Sequence, residues 1–320
     1  MHYSLKVSSY GYTKRTRKSS RINNSIINNS KLSIMKRLMC LFALFSVLVI
    51  SSCSSELNED VNPPTNEQSK LVTFTFGELS YQAMTRASVS EINMTDLWVF
   101  DYVGDELKQT IHQTNEEAGF GSISATLDYG SHTLYFVTSR GVSPTVNTDA
   151  HKIVWEKPSD TFIATASMTV SATSGSSLPV SLTRAATRLS ISILDEVPAN
   201  AASVEIIPTE WYYGMDYITG LGTDLVTNQT RIMDIPAEYL GTNSLAVAIF
   251  GFVPSDELQT NVSCALKASD TSVLGSVNLE NVSLKKNITL SYSGYIIGDN
   301  TKTFTLTVDD SWGTEDTHTW

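Results

Sequence analysis

From residue 71 to residue 308 the apolar residues keep returning at every second position, and that period limits the fold more than any other feature of the chain. Val72, Phe74 and Phe76 alternate with Thr73 and Thr75. Leu189, Ile191 and Ile193 alternate with Ser190 and Ser192, and Phe304, Leu306 and Val308 with Thr303, Thr305 and Thr307. Successive strand side chains point to opposite faces, so each such stretch makes one apolar and one polar face. Thr and Ser in the outward positions suit an antiparallel sheet wetted on one side. Residues 97–100 and 134–137 are short apolar runs. Val204, Ile206, Val277, Leu279, Ile288, Leu290 and Tyr292 extend the two-residue period. Residues 245–252 carry no polar side chain and read as a centrally placed, buried strand. No window holds a long 3.6-residue period; residues 237–240, after Pro236, read as one helical turn. Many short strands with turn residues between them predict an all-β protein made of antiparallel β-sandwiches.

The clearest break in composition is residues 171–177, Ser-Ala-Thr-Ser-Gly-Ser-Ser, which offer no apolar anchor. A boundary there divides the chain into sandwiches at 71–178 and 179–320. The alternative is a long hairpin loop inside one domain. No repeat of fixed period is present.

Ahead of the strands lies a different signal. Lys36 and Arg37 precede an apolar run over 38–50 broken only by Ser46, then Ser51, Ser52 and Cys53. This is the order of a secretory signal, and the run falls short of the ~20 apolar residues of a spanning helix. Ile50-Ser-Ser-Cys53 looks like a bacterial lipobox, in which the cysteine is acylated and becomes the first mature residue. The alternative is an ordinary signal with a stray cysteine. Residues 1–34 are basic and polar, and the signal begins at Met35. Translation is therefore expected to start there, with residues 1–34 an over-extended start or a disordered leader. Residues 53–70 are an acidic, polar tether.

Nine of the 22 basic residues and none of the 33 acidic ones precede Cys53, which leaves the remainder near −20. Such a surface repels nucleic acid, so no nucleic-acid partner is expected. Of three cysteines, Cys40 leaves with the signal, Cys53 would carry lipid, and Cys264 remains, in a strand-like context that fits a small buried hydrophobe. Catalytic constellations are missing: no Gly-x-Ser-x-Gly elbow, no His-Glu-x-x-His, no Cys-x-x-Cys, and no His at metal-binding spacing among His112, His132, His151 and His318. No cofactor, metal or catalytic residue is expected. Adjacent acids Glu116/Glu117 and Asp309/Asp310 would point to opposite faces of a strand, wrong for an acid–base pair, and read as turn and surface carboxylates. Trp211-Tyr-Tyr213 could form an aromatic platform for a sugar ring; the other reading is rings that plug the end of a sandwich.

Taken together, the lipobox at 50–53, the strand at 71–76, Thr85-Arg-Ala87, Asp96-Leu-Trp-Val-Phe-Asp101 with Gly104, Leu127-Asp-Tyr-Gly-Ser-His-Thr-Leu-Tyr-Phe-Val137 and Leu182-Thr-Arg-Ala-Ala-Thr-Arg-Leu-Ser-Ile-Ser-Ile193 resemble the Bacteroides-type fimbrillin superfamily. That superfamily provides shaft, tip and anchor subunits of type V pili. The resemblance implies two tandem transthyretin-like β-sandwiches, outer-membrane delivery as a lipoprotein with palmitate-type acylation at Cys53, and assembly by strand exchange. It implies a trypsin-like cut between Arg86 and Ala87 in shaft subunits, displacing the strand of Val72, Phe74 and Phe76. A neighbour's strand with Phe304, Leu306 and Val308 facing in would replace it. The expected partners are other fimbrial subunits, the outer membrane and a surface receptor. The reading that follows is a non-enzymatic structural or adhesive subunit of a cell-surface fimbria. The rival readings are a surface glycan-binding lipoprotein that uses Trp211, Tyr212 and Tyr213, and an extracellular hydrolase.

Overall fold

The computed structural model describes residues 68–79, 93–298 and 304–309. The signal, the tether and Cys53 lie outside the described residues, as do Arg86 and Ala87. The first half of the chain forms β1 (Ser69–Leu79), β2 (Asp96–Val103), β3 (Glu106–Thr114), β4 (Ser122–Asp128) and β5 (Gly130–Ser139). It continues through the short strands β6 (Thr145–Asn147) and β7 (Lys152–Val154) to β8 (Thr161–Val170) and β9 (Ser177–Arg184). Seven of these are hydrogen-bonded in the order β3-β2-β5-β8-β9-β1-β4. That order doubles back at β8 and β9, which pair only at Phe162 with Arg184 and Ile163 with Thr183. Layer β4-β1-β9 therefore covers layer β3-β2-β5-β8. Val72, Phe74, Leu97, Val99, Leu127, Phe136 and Leu182 from both layers meet in one buried core.

The second half begins with β10 (Thr187–Ile193), β11 (Ala201–Pro208), β12 (Glu210–Asp216), β13 (Gly222–Thr227) and β14 (Arg231–Asp234). After a 3-10 turn at Ala237–Tyr239 come β15 (Leu245–Gly251), β16 (Leu258–Ala268), β17 (Val273–Leu284), β18 (Thr289–Gly294) and β19 (Phe304–Asp309). Two four-stranded sheets, β15-β10-β18-β19 and β14-β11-β16-β17, enclose a second core of Leu189, Ile191, Val204, Ile206, Ile249 and Cys264 among others. The fold is thus all-β, with antiparallel pairing broken by two parallel pairs, β1 with β9 and β10 with β18. Among the described residues there is no α-helix.

Two expectations need correction. The stretch 171–177 joins β8 to β9 within one sheet, and the chain changes sheet at Ala185–Ala186 instead. Lacking apolar side chains, that stretch suits a wet loop as well as a linker; composition alone does not separate the two. The apolar strand 245–252 is buried but not central: β15 ends its sheet's hydrogen-bonding order. Its burial on both faces has another cause. Leu245, Val247 and Ile249 face the second core, while Phe250 and Phe252 face a third cluster between the halves.

That third cluster explains the uninterrupted apolar runs. In β2, Leu97 and Val99 enter the first core, and Trp98, Phe100 and Tyr102 enter the cluster between the halves. The rings of Phe100 and Tyr217 stack at 3.8 Å, those of Trp155 and Phe252 at 5.1 Å, and the hydroxyls of Tyr102 and Tyr217 share a 2.8 Å hydrogen bond. A small sheet of order β13-β12-β7-β6 takes two strands from each half, with Met215 paired to Ile153. The two sandwiches therefore share both a sheet and an apolar seam. At the junction, Arg184 donates from Nε and Nη2 to Asp160 at 2.5 and 2.8 Å, both residues being buried. Ala185 and Ala186 follow, with no side-chain bulk to displace the aromatic rings around them.

Candidate functional site

Strand β1 is the element on which an assembly function would turn. Backbone hydrogen bonds hold it on both edges, antiparallel to β4 and parallel to β9. Val72 and Phe74 are fully buried and Phe76 nearly so. The Phe74 and Phe76 rings meet the Phe136 ring edge-on at 5.3 and 5.5 Å, the geometry in which positive ring edges approach negative faces. Burying three such side chains contributes roughly 5–9 kcal/mol. An ordinary domain has a net stability of about 5–15 kcal/mol, so the first sandwich depends on this strand or on a substitute for it.

Strand β19 has the same alternation in the opposite setting. Among the described residues it pairs only with β18 and closes the edge of its sheet. Of the three residues expected to face into a neighbour's groove, Phe304 here packs against the second core of its own chain. Leu306 is 50% and Val308 60% exposed. The reason is position: the strand extends its sheet past β18, and no described element covers its outer residues. An exposed apolar strand at a sheet edge is a template for pairing with another chain.

The aromatic platform dissolves in the structure. Trp211 is buried in the second core, donating from Nε1 to the Phe250 carbonyl at 2.7 Å, and Tyr213 is buried beside it. Gly251 makes room for this, because a Cβ there would lie 2.3 Å from Trp211 Nε1. Only Tyr212 is part-exposed. Burial, and then Glu210, raise its hydroxyl above the usual tyrosine range. Arg231 lies over the Tyr213 ring at 4.4 Å and near Trp211 at 5.5 Å. Burial pushes its guanidinium down to about 10, partly offset by Tyr213, so it stays charged at neutral pH. No sequence signal singled out Arg231, which sits in a polar stretch.

The remaining sequence candidates have structural settings. Asp101, closing the Asp-Leu-Trp-Val-Phe-Asp motif, meets His132 Nδ1 at 2.7 Å, and the other ring nitrogen of His132 faces the Asp128 carbonyl at 2.8 Å. Both residues are buried, which ties β2 to β5 behind the first core. Asp96 meets His112 at 2.8 Å. Gly104 opens the two-residue turn from β2 to β3 with φ of +61°, a conformation glycine adopts without strain. Glu116 and Glu117 are exposed in the loop after β3. Cys264 is fully buried, and burial pushes its thiol up to about 12. Among the described residues, no three of His, Cys, Asp and Glu gather where a metal ion could bind.

No protein-family profile and no curated protein matches the chain. Solved structures do. A candidate polysaccharide-binding protein of Bacteroides thetaiotaomicron is similar at 11% identity and a TM-score of 0.50, over 75% of this chain and 96% of that one. A candidate cell adhesion protein of Bacteroides ovatus is 15% identical with a TM-score of 0.48, over 77% and 98% of the two chains. The fimbrial anchor protein Mfa2 of Porphyromonas gingivalis is 9% identical with a TM-score of 0.42, over 76% and 97%. The likeness to the Bacteroides thetaiotaomicron protein is one of fold alone, an all-β arrangement of packed antiparallel sheets.

Proposed function

We propose that this chain is a non-catalytic structural or adhesive subunit of a cell-surface fimbria, delivered to the outer membrane as a lipoprotein acylated at Cys53 and joined to its neighbours by strand exchange. The observation that carries the reading is the contrast between two like strands. β1 is an interior strand whose Val72, Phe74 and Phe76 fill the first core, and β19 is an edge strand whose Leu306 and Val308 are left exposed among the described residues. If the chain is cut between Arg86 and Ala87, β1 is free to leave. The gap between β4 and β9 would then expose the apolar wall around Phe136 and two rows of unpaired backbone groups. A strand with the alternation of β19 satisfies both needs at once.

The cut also sets the role. Cutting separates the body from lipidated Cys53, so a cut subunit belongs to the shaft or tip and an uncut one is the anchor. N-terminal sequencing of the surface-assembled form tests this. A start at Ala87 is the result for a shaft or tip subunit that accepts a strand. A blocked, lipidated start at Cys53 rejects that role and leaves the anchor. The glycan reading no longer has its platform, because Trp211 and Tyr213 are core residues.

A further inference from the structure

A cavity of about 310 Å³ opens where the two halves meet, walled by the chain after β5, the segment before β8 and the start of β14. Its lining includes three cations, Arg140, Lys157 and Arg231, and one carboxylate, Glu156. This reverses the sign of a chain whose formal charge is −11. Arg140 also lies 5.9 Å from the Phe250 ring centre, and Arg188, from the next strand over, lies 5.8 Å from the same centre. Positive charge is thus concentrated in a recess with partly apolar walls, where fields are focused and poorly screened.

Arg231 is the decisive residue. Its Nε and Nη2 are shielded from solvent and have no hydrogen-bond partner among the described residues. The guanidinium is held over Tyr213, so its orientation is set before any ligand arrives. Donors withdrawn from water and left unpaired carry a cost that an oxyanion in the cavity would remove. Carboxylate and sulfate oxygens match the planar fork of a guanidinium. The volume is at the small end of the roughly 300–1,000 Å³ typical of ligand sites, enough for one sugar-sized unit.

We infer that this cavity binds an oxyanion, a carboxylate or a sulfate, borne on a unit about the size of one sugar residue, with Arg231 as the principal contact and Lys157 at the rim. Subunit assembly plays no part in the inference. Titration calorimetry of the full chain in solution, with galacturonate, glucose 6-sulfate and glucose as separate probes, tests it. At least one of the two anionic probes should bind, and whichever does identifies the anion; glucose should not. Arg231→Gln should weaken binding about tenfold or more, the loss of a charge-assisted pair. If that variant does not fold, Lys157→Gln on the exposed loop should weaken binding by a smaller factor and flatten its salt dependence. The inference is overturned if neither anionic probe binds at millimolar concentration, if glucose binds as well as they do, or if binding is unchanged in the folded variant tested.

Discussion

Strands β1 and β19 read alike in sequence, three apolar residues alternating with threonines, yet they lie in opposite settings. β1 is hydrogen-bonded on both edges and buries its apolar face completely. β19 is bonded on one edge and leaves two of its three apolar residues largely in water. The pattern in a strand states that one face needs cover. Whether cover exists depends on topology, which local sequence does not encode. Under the proposed strand exchange, the covered and the exposed copy of this pattern would be the two parts of the joint between subunits. In the proposed exchange, a neighbour's β19 in place of β1 would move Leu306 and Val308 out of water and cover the first core again.

The comparison is broken most severely at β1. Phe74→Asp places an unpaired charge in the first core, at a cost of several kcal/mol, a large share of an ordinary domain's stability. The uncut chain should lose its cooperative thermal transition in circular dichroism or melt far below the parent. A parent-like melt would show that β1 is not essential to the core.

The junction ranks next. Asp160→Asn leaves Arg184 buried beside a neutral amide, and breaking a buried pair costs about 3–5 kcal/mol. Because this pair pins the end of β9, the flank of β1, chemical denaturation should show a loss of that size. A loss under about 1 kcal/mol, the range of exposed pairs, would mean that the bridge does not hold the fold-over. Tyr217→Phe should cost about 1–2 kcal/mol, since its hydroxyl bonds Tyr102 and donates weakly to the Thr148 carbonyl while the ring stack on Phe100 remains.

At β19 the expectation reverses. Leu306→Asp should change stability by no more than about 0.5 kcal/mol, as exposed substitutions do, and yet abolish assembly of fibres by electron microscopy. Equal fibre formation by this variant would remove β19 from the joint.

The strands themselves were legible before the structure, and the illegible part has a physical cause. Residues 71–76, 189–193 and 304–308 lie in strands because a two-residue period has no other comfortable home. β3, by contrast, carries few apolar residues, since it is an edge strand facing solvent, and its Glu-Leu-Lys-Gln-Thr-Ile-His-Gln-Thr sequence gives a weak signal. The seam between the halves was written in residues 97–100: a strand apolar on both sides must be buried on both sides. What covers the second side is a long-range fact. Arg231 was invisible for the same reason, because its neighbours Tyr213 and Trp211 come from another strand. Cys53, Arg86 and Ala87 remain sequence features alone.

One further experiment sharpens the division between the halves. In a chain beginning at Ala87, Cys264 is the single cysteine. It lies in the second core with its thiol pushed up to about 12, so at pH 8 it is both neutral and enclosed. It should resist maleimide labelling in the trimmed chain as it does in the intact one, because losing β1 opens only the first core. Rapid labelling after trimming would mean that the shared seam transmits the opening to both halves.

The most direct test adds the strand back. A chain beginning at Ala87 should be incubated or refolded with a synthetic peptide of residues 303–309, and its melting temperature measured. The account predicts that the peptide raises the melting temperature in a saturable way and that the same peptide carrying Leu306→Asp does not. No rise with the native peptide, or an equal rise with the substituted one, would contradict the claim that β19 is the strand that replaces β1.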